Sequence, residues 1–367
     1  MSGFPVSRNH FLTFEKRGDV SKAAVILNPI LSIVMALLIG SVLLTATGYS
    51  PMKVYYTMLS GAFGSTYGLS ETVVKAIPLL LCGLGVSIAF RMQLWNIGAE
   101  GQFYFGAMAA TWVALYHGQG PRFLVLSLML MAGFAAGGLW AILPAIPRAL
   151  FKVNETITTL MLNYVAILFS NFLVYGPWKD PQGFNFPLTA VFPPAATLPV
   201  FGNTRVHLGL LFGLIGAVVL YFILWHTRWG YEIRVIGESP HAARYAGMSI
   251  AKNILLVMAI SGGMAGIAGM AEVSGVIQRL QPNISPGYGY TAIIIAWLAR
   301  LNPFAMVGVS FVFGGLLVGG YNMQTSGLPA AIVSMLQGAI LFFVLGGEIL
   351  TRYRIRVKRI PGRGTAQ

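Results

Sequence analysis

The chain has 367 residues, 56% hydrophobic and only 9% charged, where a globular domain averages about 25% charged residues; this excludes an ordinary soluble fold and predicts a polytopic membrane protein. The formal net charge of +14 does not indicate nucleic acid, because the Lys and Arg residues occupy short stretches between apolar runs and form no basic face with interleaved aromatics. The single cysteine, Cys82, sits in an apolar run and rules out an intrachain disulfide.

In chain order, about 24 mostly polar residues precede a first apolar run, Val25 to Gly48, which is long enough to span and lacks a convincing signal-peptide cleavage site. Ten apolar segments are expected at roughly 27–47, 74–90, 97–117, 123–146, 156–175, 207–225, 253–275, 289–300, 303–320 and 329–349. They predict an all-α polytopic membrane protein with about ten transmembrane helices. The chain then divides into a cytoplasmic N-terminal tail (1–24), a transmembrane domain (25–350) and a basic cytoplasmic tail (351–367). A crossing helix needs about 20 residues, so the second, eighth and ninth segments are short or closely spaced. Arg300-Leu-Asn-Pro303 interrupts what would otherwise be one long helix.

Ten crossings place both termini on one side. With the N-terminus inside, 18 of the 24 Lys and Arg residues fall in inner segments; the other 6 are Lys53, Lys75, Arg122, Lys179, Arg205 and Arg279. That asymmetry is what the positive-inside rule requires. Five helices per half, the second five starting from the opposite side, is also the arithmetic of an inverted repeat.

Two outer loops are long. Residues 48–73 are polar and aromatic, and residues 176–206 carry six prolines. The second loop is expected to be ordered but irregular, either a connector or a docking surface for an external partner. The basic run Arg352 to Arg359 reads as a stop-transfer and lipid-headgroup anchor. Among 44 glycines, the pairs Gly133/Gly137, Gly262/Gly266 and Gly315/Gly319, with Ala265/Gly269, have the small-xxx-small spacing that lets helices approach closely. They serve either one bundle or a moving interface with a second subunit.

Acidic residues are few, so those inside apolar segments are informative. In Trp95-Asn-Ile-Gly-Ala-Glu-Gly-Gln-Phe103, Gly98 and Gly101 permit a bent or unwound helix start from which Asn96, Glu100 and Gln102 could face a cavity. A carboxylate at a helix N-terminus equally suits a structural role for Glu100. At the next such site, Asn154 is a natural cap, while Asn163 and Tyr164 lie deeper and offer an amide and a phenol to a polar ring-shaped solute. Buried polar groups satisfied within the bundle are the alternative for each. Near Glu272, Arg279 is the expected local ion-pair partner.

The basic loop 227–252 carries a short helix written by its end signals. Ser239 can cap it, Pro240 suits the first helical position, and Gly247 is where the chain leaves it. Ala242, Tyr245 and Ala246 share one face, with His241 and Arg244 on the other. About two turns are marginal alone in water, so the membrane helices or a docking partner must hold them.

Three motifs occur in order: Asn96-Ile-Gly-Ala-Glu-Gly-Gln102, Asn154-Glu-Thr-Ile-Thr-Thr-Leu-Met-Leu-Asn-Tyr164 and Pro240-His-Ala-Ala-Arg-Tyr-Ala-Gly247. Over roughly residues 25–350 the chain resembles the permease subunit of nucleoside-type ABC importers, a branch of the ribose and branched-chain amino acid permease family. The resemblance implies a separate ABC ATP-binding subunit that holds ATP and Mg, a second homologous permease in a heterodimer, an external substrate-binding protein, and a bacterial plasma (inner) membrane location. It also implies that 240–247 is a coupling helix, with Pro240, His241, Ala242, Ala243, Arg244 and Gly247 as coupling residues. Glu238 departs from the family spacing relative to Ala242 and is not given the signature acid's role.

The residues agree on energetics. No Gly-x-x-x-x-Gly-Lys-Ser/Thr phosphate cradle occurs, so no ATP cofactor is expected on this chain and power must come from a partner or an ion gradient. No paired carboxylates, His cluster or activated nucleophile suggests an enzyme, and no Cys/His constellation suggests a metal. An ion-coupled secondary transporter, or an ABC permease for a sugar, amino acid or flavin, remains the alternative.

Overall fold

All ten apolar segments are helical in the computed structural model, which describes residues 10–16 and 22–359. The chain forms two compact units, Met1–Val54 with Leu328–Gln367, and Tyr55–Gly327.

In the smaller unit, α1 (Lys22–Ala46) packs against a helix near the other end of the chain, Ala330–Arg352. Strand β1 (His10–Lys16) pairs antiparallel with β2 (Tyr353–Arg359), His10 opposite Arg359 and Lys16 opposite Tyr353. This ribbon of two short strands stands beside an otherwise helical chain and takes in the basic run from Tyr353 to Arg359. Its cause is period-two alternation, Tyr353, Ile355 and Val357 against Arg354, Arg356 and Lys358. Residues 1–9, 17–21 and 360–367 of the two tails lie outside the described residues.

The expected loop 48–73 is instead helix α2 (Pro51–Phe63), whose residues from Tyr55 onward belong to the larger unit, and the first turns of α3 (Thr66–Arg91). Ser65 caps α3 by accepting from the Gly68 N–H at 3.0 Å, and the Thr72 hydroxyl donates to the Ala62 carbonyl at 3.0 Å. The segment is too polar to read as a span, yet it has a partner. In α12 (Pro303–Thr325), a Cβ at Gly315 would strike the Phe63 ring and one at Gly319 would strike Met58, so this glycine pair seats α2.

Helix α3 is buried along nearly its whole length. Around it pack α4 (Ala99–His117), α7 (Gly209–His226), α10 (Ile250–Glu272), α11 (Tyr288–Leu298) and α12, while α5 (Arg122–Phe151) and α6 (Glu155–Tyr175) lie against α4. A Cβ on Gly266 of α10 would fall on the Gly133 carbonyl of α5, and one on Gly137 would fall on that of Gly262. These two glycine pairs therefore close on each other within one chain. After α10 the helix widens into a π turn, Val273–Ile277. The proline-rich loop 176–206 is tied along it: Leu198 N–H donates to the Ser274 carbonyl (3.1 Å), Phe192 N–H to that of Gln278 (2.9 Å) and Thr189 N–H to that of Leu280 (3.0 Å).

Among the described residues, six helices are long and apolar enough to cross a membrane: α3, α5, α6, α7, α10 with its π turn, and α12. The eighth apolar segment is not a full crossing. Helix α11 has 11 residues, about 16 Å at 1.5 Å per residue and half of a hydrocarbon layer. Tyr288 meets Lys75, Ile295 lies against Gly83, and the Trp297 ring lies 5.7 Å from that of Phe90, so α11 runs beside α3 from Lys75 to Phe90.

Candidate functional site

At the Arg91 end of the bundle, α8 (Arg228–Glu238) and α9 (Pro240–Tyr245) fill the basic loop. Helix α8 is amphipathic: Ile233 and Ile236 are buried, and a Cβ on Gly237 would fall on the Arg91 carbonyl. It is anchored to α10 by side chains, since Trp229 Nε1 donates to Asn253 Oδ1 (2.7 Å) and Asn253 Nδ2 donates to Glu232 Oε2 (2.9 Å). The short α9 ends as its sequence predicts. Ser239 Oγ accepts from the Ala242 N–H (3.3 Å), and Gly247 leaves the helix at φ +75°. Ala243 is fully buried, whereas His241, Ala242 and Arg244 are exposed and Tyr245 is 100% exposed. The faces therefore divide around Ala243, which holds the helix to the bundle while its neighbours face outward.

Deeper in, α4 starts from a bend that consumes polar side chains. Asn96 Nδ2 donates to Gln102 Oε1 (3.0 Å) and to Ser261 Oγ of α10 (2.9 Å), and Gln102 Nε2 donates back to Asn96 Oδ1 (3.0 Å). Asn163 of α6 accepts from the Gly101 N–H (2.8 Å) and donates to the Ile97 carbonyl (2.9 Å), supplying partners that a regular helix would have provided. Its amide also donates to the Tyr290 hydroxyl on α11 (3.2 Å). The Glu100 carboxylate accepts from the Gly289 N–H (2.7 Å), and Ser285 Oγ accepts from the Gly287 and Tyr288 N–H groups (3.1 and 2.9 Å). The N–H groups of Gly287, Tyr288 and Gly289, three of the four donors that a helix start leaves without an intrahelical partner, are thus satisfied, one of them by a carboxylate suited to a helix N-terminus.

A third cluster joins α3, α10 and α11. Lys75 Nζ lies 3.3 Å from Glu272 Oε1 and donates to the Tyr288 hydroxyl at 3.0 Å. Lys75 is therefore a residue of the helix bundle rather than an outer-loop charge, and it takes the partnership expected of Arg279. Glu155 has two partners, Arg148 Nε at 3.1 Å and the Trp95 N–H at 3.2 Å, which fasten the α4 bend to the start of α6.

Residues 68–345 match the family model described as the permease component of the branched-chain amino acid transport system. The chain belongs to this permease family. Over 90% of its length it is 38% identical to a glucose ABC transporter permease of Haloferax volcanii, covering 89% of that protein. A guanosine ABC transporter permease of Bacillus subtilis is 35% identical over 89% of the chain and 94% of its own length. A nucleoside ABC transporter permease of Lactococcus lactis subsp. cremoris is 30% identical over 88% and 92%. The chain is accordingly a multi-pass membrane permease of an ABC importer, a transport subunit rather than an enzyme, whose family works with an ATP-binding subunit and a substrate-binding protein.

Of the five residues that the sequence groups as a candidate pathway, four are buried and one is exposed. Asn96, Glu100, Gln102 and Asn163 come together in one buried polar layer, each at most 2% exposed and hydrogen-bonded within the chain. Tyr164 alone turns outward, at 56% exposed. Beside that layer lie residues that sequence reasoning did not single out, Tyr290 and Trp297 on the half-exposed side of α11 and the exposed Trp95. The signal was present in the eighth segment's shortness and in Pro282, Pro286 and Gly287 just before it.

Proposed function

We propose that this permease forms half of the transmembrane path of an importer for a nucleoside or similar small polar ring solute, in a bacterial plasma membrane, driven by ATP hydrolysed on a separate subunit. The observation that carries the coupling is α9, an exposed two-turn helix anchored by Ala243 and continuous with α8, which is clamped to α10 through Trp229, Asn253 and Glu232. A push on Pro240, His241, Ala242, Arg244 and Gly247 from a motor subunit reaches α10, whose Ser261 and Glu272 hold the starts of α4 and α11. ATP and Mg belong to that subunit, and a homologous, non-identical permease supplies the other half. With α9 cytosolic, the loop 176–206 faces the external binding protein. Pairing of β1 with β2 supports both termini lying on one side.

The guanosine and nucleoside permeases among the relatives support the solute. A sugar is the second reading, favoured by the relative named as a glucose permease. Glu100, the acidic group an ion-coupled mechanism would need, is occupied in capping α11. The test is uptake into proteoliposomes holding both permeases and the ATPase, with binding protein outside. Labelled guanosine should accumulate only with ATP within; accumulation of glucose instead selects the second reading, and gradient-driven uptake without the ATPase defeats the proposal.

A further inference from the structure

The start of α11 presents a physical problem that a lipid-facing surface does not solve. The segment 278–287 is non-helical and reaches α11 beside the middle of α3, with Asn283 and Pro286 exposed and Gln281, Ser285 and Gly287 half-buried. Irregular backbone at membrane depth is tolerated only where protein covers it or where it lines a water-filled cavity. The adjoining face of α11 continues that character. Tyr290, Thr291 and Trp297 are half-exposed among the equally half-exposed Ile293, Ile294 and Leu298, and Tyr164 stands one residue beyond the Asn163 that holds the Tyr290 hydroxyl. Trp95, 46% exposed, makes ring contact with Trp297 at 5.8 Å. Helix α7 shows the contrast, its exposed and half-exposed positions from Leu211 to Val219 being only Leu, Ile, Val, Phe or Gly.

We propose that the exposed face of α11, with Trp95 and Tyr164 beside it, is the wall along which the solute moves, and that Trp95 and Trp297 stack against a planar ring while Tyr290 meets its polar edge. The proposal rests on the import function above and assigns its path to residues. The Trp95 and Trp297 rings, inclined to each other at 34°, form an aromatic corner on either face of which a planar ring can stack, and the tyrosine hydroxyls supply hydrogen bonds without a fixed charge, as suits a neutral solute that must also leave. The buried layer acts through these groups: Asn163 positions Tyr290, and Glu100 holds the start of α11 against α4.

The test uses the complete transporter in membranes, with its ATPase, sibling permease and binding protein. Cys82 is buried, so the wild type sets the background. Thr291→Cys and Ile294→Cys should react with a charged, water-soluble methanethiosulfonate and lose that reaction when guanosine-loaded binding protein and ATP are added, while Val218→Cys on α7 stays unreactive. Trp297→Ala should lower guanosine uptake about tenfold, one aromatic stack, and Trp297→Phe should restore most of it. If Thr291→Cys and Ile294→Cys are as inert as Val218→Cys, the wall is wrong whatever the solute. Wild-type transporter that carries neither guanosine nor glucose would instead defeat the solute reading and leave the labelling result intact.

Discussion

The Glu100 carboxylate lies 2.7 Å from the Gly289 nitrogen, joining residues 189 positions apart and closing the first turn of a half-length helix inside the bundle. Gly289 has no side chain because a Cβ there would fall against the backbone of Ala99 and Glu100. Close approach and cap are one device. Glu100→Ala should leave a buried donor unpaired and cost about 1–3 kcal/mol, whereas Glu100→Gln keeps an acceptor and should cost much less. Thermal unfolding of the purified permease in detergent reads the difference.

Lys75 and Glu272 should fail singly and recover together. Glu272 is 2% exposed, so Lys75→Met strands a carboxylate at a cost on the order of 3–5 kcal/mol. Lys75→Met combined with Glu272→Gln removes both charges and should regain most of the loss in folded protein recovered from the membrane. No recovery would mean that Lys75 contributes chiefly through Tyr288.

At the α5–α10 seam, Gly266→Ala places a methyl against the Gly133 carbonyl. Overpacking of this kind costs about 1–3 kcal/mol, and here the obstacle is backbone that cannot change rotamer. Gly308, which has open space around it, is the control. Gly308→Ala should express like the wild type, while Gly266→Ala should show a lower unfolding temperature.

Adjacent alanines of α9 should behave oppositely. Ala242 is exposed, so Ala242→Arg should leave the unfolding temperature unchanged while weakening ATPase attachment on the order of tenfold, as a central contact would. Ala243 is buried, so Ala243→Leu should destabilise α9 itself, by about 1–3 kcal/mol. Co-purification of the ATPase with each variant, beside thermal unfolding, separates the two effects.

Membrane class, the ten apolar segments, the Ser239 and Asn154 caps and the Gly247 exit were all legible in the sequence, because each depends on local composition or on a few consecutive residues. The sequence also marked Asn96, Glu100, Gln102 and Asn163 as polar groups in an apolar setting. What they touch was decided by tertiary structure. A buried polar side chain must find a partner, and whether that partner is solute, water or another helix depends on contacts between residues far apart in the chain, such as Glu100 with Gly289 or Lys75 with Glu272. The same physics placed α2 on the glycines of α12, turned Ala243 inward and Tyr164 outward, and made the eighth apolar run a half-helix, since burial is a property of the assembled bundle and periodicity only of the single strand of sequence.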